Sequence, residues 1–213
     1  MNTKKLLAIS AIALASTSML TACGNSNSSS SDTTKTTKTA KKAPKKVATT
    51  ISANKKLRDG FDKVKVGDIM QQGNGGSTYK QAVAILGEPT TTTTTKSSGI
   101  KVKSVSWTKG RVTIAIGFVK NNVISKSIAG FTFNDRGKKL DLKAFNSIQD
   151  GSSYDSLVSK YGEPDGLSVA TIAGQTTTGA TYFTGINAKS SGASATFDFT
   201  NNKLTTKSQT NLK

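Results

Sequence analysis

The chain has no histidine, and its only cysteine among 213 residues is Cys23. Ser-His-Asp and Cys-His catalysis need an imidazole, and His/Cys zinc or copper sites need imidazole or thiolate ligands, so these chemistries are excluded. One cysteine also rules out a disulfide within the chain. Acidic residues are scarce: 12 Asp+Glu stand against 30 Lys+Arg, for a net charge of +18. The residue types that are missing point away from an enzyme and imply no cofactor and no bound metal.

What is present starts with an export signal. Met-Asn-Thr-Lys-Lys leads into an apolar run from Leu6 to Leu20, followed by Thr21-Ala22-Cys23. A basic start, a short apolar core and small residues before a cut site define a secretory signal over 1–22. The apolar run falls short of the roughly 20 residues needed to span a bilayer. Leu20-Thr21-Ala22-Cys23 resembles a bacterial lipobox, in which the cysteine is acylated and becomes the new N-terminus. Each buried CH2 of an acyl chain contributes about 0.8 kcal/mol, and two or more chains give a stable anchor. The expected location is the extracytoplasmic face of the cell membrane, held through Cys23.

Residues 23–59 are rich in Ser, Thr, Lys, Asn and Ala and hold almost no large apolar side chain. Such a composition buries too little surface to offset ordering entropy, so the segment is expected to be a disordered basic tether. As a coil it would span on the order of 30–35 Å. Its lysines suit a solvated spacer first, a role compatible with attraction to anionic head groups or an anionic wall polymer. Nucleic acid is not expected as a partner, because the chain is exported and its basic stretch lacks interleaved aromatics.

Beyond the tether a motif occurs twice. Gly75–Pro89 reads GGSTYKQAVAILGEP and Asp150–Pro164 reads DGSSYDSLVSKYGEP. At a shift of 75, Tyr79 meets Tyr154, Gly87-Glu88-Pro89 meets Gly162-Glu163-Pro164, and Trp107 meets Tyr182. Upstream, Phe61-x-x-Val64-x-x-Gly67 matches Phe145-x-x-Ile148-x-x-Gly151 at a shift of 84. The first copy therefore carries nine extra residues within 68–76, which are Gly-rich and polar and predict an exposed loop. Ser77 or Thr78, and Ser152 or Ser153, are the N-cap candidates, and Thr78 with Gln81 and Ser152 with Asp155 have the three-residue spacing of a capping arrangement. Tyr79, Val83 and Leu86 share a helical face, as do Tyr154, Val158 and Tyr161. The Gly-Glu-Pro that follows ends each helix, because glycine takes a positive φ and proline forces the preceding glutamate into extended backbone.

After each Gly-Glu-Pro the pattern changes to strands. In the first copy these are 90–96, 100–108, 111–119 and 123–133, and in the second 167–173, 176–184, 193–200 and 203–209. The expected fold class is α+β: two tandem repeats, 60–134 and 135–213, each a helix-loop-helix on a roughly four-stranded antiparallel sheet. Glu88 and Glu163 are the obvious carboxylate pair, but a helix stop accounts for both without chemistry. The candidate contact residues are Met70 in the insert, Trp107, Lys109 and Arg111 around the Lys109-Gly110 hairpin, and Tyr182.

The order F-x-x-I/V-x-x-G, S-x-Y-x3-V-x2-L/Y-G-E-P, W/Y, twice over Phe61–Gln209, resembles the repeat of β-lactamase inhibitory protein and of a related Gram-positive lipoprotein domain family of unknown function. The small outer-membrane assembly lipoproteins are more distantly similar. The resemblance implies two α+β units whose sheets jointly offer a protein-binding face. It also implies an inhibitory hairpin with acidic and tyrosyl residues, whereas the matching residues here, 107–111, are basic. The expected function is a lipid-anchored, non-enzymatic module that binds a protein or peptide through its sheets and loops. The alternative is a wall-associated module held by anionic polymer, with inhibition of a β-lactamase-type enzyme behind both.

Overall fold

Two short helices start in the same way. At the N-terminus of α2 (Tyr79–Leu86), the Thr78 hydroxyl accepts from the Gln81 amide while the Gln81 side chain accepts from the Thr78 amide at 2.8 Å. At α4 (Tyr154–Tyr161), the Ser153 hydroxyl accepts from the Ser156 amide at 3.1 Å. The cap is therefore Ser153, one of the two candidates, and the Ser152–Asp155 pair is not formed; Asp155 instead accepts from the Asn202 side chain. Each helix then stops at a glycine of positive φ, 86° at Gly87 and 77° at Gly162, whose amides donate to Val83 and Val158. These conformations suit a residue without Cβ.

This computed structural model describes residues 46–97, 99–136 and 138–213, of which Asn54–Lys213 form one compact unit. The signal segment, Cys23 and the tether as far as residue 45 lie outside the described residues. Helix α1 spans Lys46–Lys63, so the C-terminal part of the segment expected to be coil is helical. Its last turns are supported by the Lys55–Asp59 and Arg58–Asp62 pairs and by Phe61, which is fully buried. Packing of such a residue stabilises a helix that composition alone would not. The remaining helix, α3 (Leu142–Ser147), is capped by Asp141, which accepts from the Ala144 amide at 2.6 Å.

The strands are β1 (Thr91–Ser97), β2 (Ile100–Lys109), β3 (Val112–Val119), β4 (Asn122–Ala129), β5 (Gly166–Ile172), β6 (Gln175–Tyr182), β7 (Ser194–Thr200) and β8 (Lys203–Thr210). They form a single antiparallel sheet in sequence order. This corrects the expected architecture of two helix-loop-helix units on separate four-stranded sheets. The sheet is continuous because β4 pairs with β5, from Ser125↔Ala170 to Ile128↔Leu167. Two separate sheets would leave both of these strands as open edges, with unpaired backbone groups and Leu167 and Ile128 exposed.

The core is likewise one body. Phe61 and Ala82 from the helices, and Val64 just past α1, pack with Val105, Trp107, Ile114, Ile116 and Phe118, and continue through Ile128 and Leu167 to Tyr182, Phe197 and Phe199. Units of about 70 residues bury a modest share of their surface, and sharing one core raises it. Where the strand pattern was expected to run on to Phe133, β4 ends at Ala129. Phe131 and Phe133 turn back onto the core in the connection to α3.

The insert 68–76 is not simply an exposed loop. Asp68 is buried, and its carboxylate accepts from the amides of Met70 (2.8 Å), Ala173 (3.1 Å) and Gly174 (2.6 Å). It thereby caps the 3-10 turn Ile69–Gln71 and clasps the β5–β6 turn. Ile69 covers a small second cluster, Val102, Val119 and Ile124.

Candidate functional site

The helices occupy one face of the sheet, and the aromatic residues of the strands lie on that face. Trp107 is 3% exposed and Tyr182 is wholly buried, so neither candidate contact residue offers a surface. Their polar atoms fasten the sheet to the helix ends: Trp107 Nε1 donates to the Gly87 carbonyl at 2.8 Å, and Tyr182 Oη to the Gly162 carbonyl at 2.9 Å. Burial pushes the Tyr182 phenol well above its usual range, Tyr154 adds to this, and Arg136 opposes it. Tyr79 and Tyr154 pack edge-on against Phe118 and Phe199, at 5.5 and 5.6 Å between centroids.

The opposite face is built differently. Following the register across all eight strands, one row reads Thr91, Ser106, Ala115, Ser127, Ser168, Gly179, Asp198, Thr206. The next reads Thr93, Ser104, Gly117, Ser125, Ala170, Thr177, Thr200, Lys203. Seven of eight positions in each row are Ser, Thr, Ala or Gly, so the backbone plane lies just below the surface. The glycines are set there by close approach. A Cβ on Gly117 would meet the Ser125 hydroxyl at 2.8 Å, and one on Gly179 would meet the Ser168 hydroxyl at 2.8 Å and Asp198 Oδ1 at 3.2 Å. Asp198 is the one carboxylate in these rows, and partial desolvation raises its pKa.

The dimensions suit a macromolecule. Seven interstrand gaps of about 4.8 Å and strands of about seven residues give a face roughly 34 Å by 23 Å, on the order of 700–800 Å². One partner in a standard protein interface buries about 800 Å².

Of the other candidate residues, Met70 stands out at 40% exposure on the 3-10 turn, and Lys109 and Arg111 are exposed at the β2–β3 turn. Glu88 is exposed. Glu163 is half-buried and ion-paired to Arg58 at 2.7 Å, and its carbonyl accepts from Arg136. These glutamates belong to different halves of the sheet, beside β1 and β5. Among the described residues no group of three or more His, Cys, Asp or Glu side chains could hold a metal.

The most polar buried feature is closed to solvent. Arg136 and Asp165 are both fully buried and pair at 2.7 Å. Arg136 also donates to the Thr184 carbonyl (2.7 Å), and Asp165 Oδ2 accepts from the amides of Phe183 (2.7 Å) and Thr184 (3.1 Å). Desolvation lowers the Arg136 pKa, with Asp165 opposing. With every partner satisfied and no access, this network is structural.

Two features of the surface were not anticipated from the sequence. Phe183, just past β6, is 37% exposed while its neighbour Tyr182 is buried; strand alternation through this pair was the available signal. Charge is also segregated. Residues 89–134 contain no Asp or Glu but hold Lys96, Lys101, Lys103, Lys109, Arg111, Lys120 and Lys126, a run readable from the sequence as it stands.

Comparison with known proteins agrees with this architecture. The structure is similar to that of a Streptococcus mutans protein described as a "putative beta-lactamase inhibitor protein", solved at 1.40 Å. The TM-score is 0.64 and the identity 29%, over 75% of this chain and 98% of that one. No curated protein matches the chain. Residues 53–212 match the family described as a domain of unknown function with solved structure, DUF3862, and the chain belongs to that family.

Proposed function

We propose that the chain is a lipid-anchored, extracytoplasmic, non-enzymatic module that binds a protein through the open face of its sheet. The observation that carries this reading is the pair of rows crossing eight strands with small side chains. An exposed sheet face that only needs to stay soluble is served by long charged residues, whose ordering costs up to about 2 kcal/mol each when covered; Gly and Ala cost none. A face of Ser, Thr, Ala and Gly can be covered at little entropic cost, and its sparse charge, Asp198 and Lys203 in the two rows, matches the depletion of charge at interface cores. The missing imidazole and thiolate chemistry, and the closed Arg136–Asp165 network, fit binding rather than turnover. The likeness to the Streptococcus mutans protein supports a binding role. Inhibition of a β-lactamase is not carried over, because the β2–β3 turn here is basic.

Photo-crosslinking residues placed at Ser104, Ser168 or Thr196 on cells should give one common protein adduct. The same probe at Lys80 or Lys160, on the helices, should give none. Equal yields from both sets would count against the open face. The anchor is tested separately: mass spectrometry of the N-terminal peptide from membranes should show an acylated Cys23, and an unmodified cysteine would refute acylation.

A further inference from the structure

The two edges of the sheet are finished differently. At β8 the strand is tied down at both ends, by the Ser153–Lys203 bridge with the Leu204 amide donating to the Ser152 carbonyl at 2.8 Å, and by a second segment just past Thr210, while among the described residues nothing pairs with the outer edge of 205–210. Ala188 bridges Leu212, the Lys189 amide donates to the Asn211 carbonyl at 2.8 Å, and the Lys213 amide donates to the Asn187 carbonyl at 2.9 Å. A bulge at Asp198/Phe199 further breaks the ladder beside it. At β1 nothing comparable is present. The strand pairs with β2 in unbroken register from Thr91 to Ser97, it contains no proline, and Thr91–Lys96 are exposed. Among the described residues no element pairs with its outer edge. An open edge of this kind is a template for another strand.

Charge selects the kind of strand. Lys96 lies directly opposite Lys101 in the β1–β2 register, an arrangement that repels. Lys103 follows two residues on, and Lys109, Arg111 and Lys120 stand on the adjoining turns, with no carboxylate anywhere in 89–134. A second copy would add further cations along this edge without a carboxylate in its own 89–134, and the Lys-rich residues 35–46 of the chain itself would likewise add positive charge.

We infer that the outer edge of β1 takes an extended acidic peptide segment of a partner protein, added as a ninth strand. The surface is distinct from the open face, so either assignment can fail alone.

The test uses the full chain and two synthetic peptides of equal charge, alternating Val-Glu and alternating Pro-Glu, ten residues each. Val-Glu should slow amide exchange of Thr91–Lys96 at least tenfold without slowing that of β8. Pro-Glu, which cannot donate a full ladder, should not. Lys96→Glu/Lys101→Glu should abolish protection by Val-Glu and confer it on a Val-Lys peptide. Equal binding of Pro-Glu would mean that charge alone is recognised, as for an anionic polymer, and would overturn strand addition. Protection of β1 already present without peptide, from self-association or from the chain's own N-terminal segment, would overturn it as well. A second edge variant, Thr93→Pro or Thr94→Pro, whichever retains the wild-type unfolding midpoint, should bind neither peptide; retained binding would refute the edge.

Discussion

The halves β1–β4 and β5–β8 attach their helices to the sheet with the same devices. Trp107 and Tyr182 reach the carbonyls of Gly87 and Gly162. Lys126 donates to the carbonyls of Phe61 and Val64 at 2.7 and 2.8 Å, and Lys207 to those of Phe145 and Ile148 at 2.9 and 2.5 Å. What differs is how each half meets its surroundings. Where the second half buries Asp165, whose carboxylate receives the Phe183 amide, the first has Thr90, whose hydroxyl receives the Thr108 amide at 2.9 Å. The second half thus needs Arg136 to neutralise a buried charge, and the first needs nothing. The shared contacts are scaffold; the unshared ones mark how the halves are joined and what the surface presents.

The sharpest way to break this parallel is to remove one member of the ion pair. Arg136→Met should destabilise by about 3–5 kcal/mol in urea unfolding, since it strands a buried carboxylate. Arg136→Met with Asp165→Leu should recover much of the loss. Thr90→Ala, at the matching place, should cost only about 1 kcal/mol. Comparable losses from Arg136→Met and Thr90→Ala would erase the distinction.

Lys126 gives a pH signature. Burial pushes its ammonium down from 10.5 to about 8, with Asp62 opposing. Between those values the unfolded chain holds a proton that the folded chain has released, so stability rises with pH across that window. Below about 8 the cost of the buried charge is fully present. The rise amounts to about 3 kcal/mol. Urea midpoints of the wild type minus those of Lys126→Met, taken from pH 7 to 11, should show this rise; a flat difference would mean that Lys126 is solvated.

A smaller effect concerns the clasp. Asp68→Ala removes the acceptor of three amides and should cost about 1–3 kcal/mol. Amide exchange at Ala173 and Gly174 should speed up more than elsewhere in the sheet.

The local elements were legible because each carries its own chemistry: Thr78 with Gln81 for a cap, and Gly-Glu-Pro for a stop. The union of the sheet was not, because Ser125–Ile128 and Gly166–Ala170 look alike whether they are edges or neighbours, and pairing between them is decided by a core 40 residues apart in sequence. The role of Trp107 and Tyr182 followed from the same limit. A mid-strand aromatic faces either way until the helices are placed. The open face was hidden by its own composition, since Ser, Thr, Ala and Gly carry no periodic apolar signal. Asp68 was hidden in a Gly-rich run whose partners lie about 105 residues away.

The central claim is that the small-residue face, and not the helix face, meets the partner. Lysines placed at Ser104 and Ser168, which are exposed and not opposite each other, should leave the unfolding free energy within about 0.5 kcal/mol of wild type, as exposed substitutions do. They should reduce the adduct captured by a photo-crosslinker at Thr196 at least tenfold. An unchanged adduct with the fold intact would contradict it.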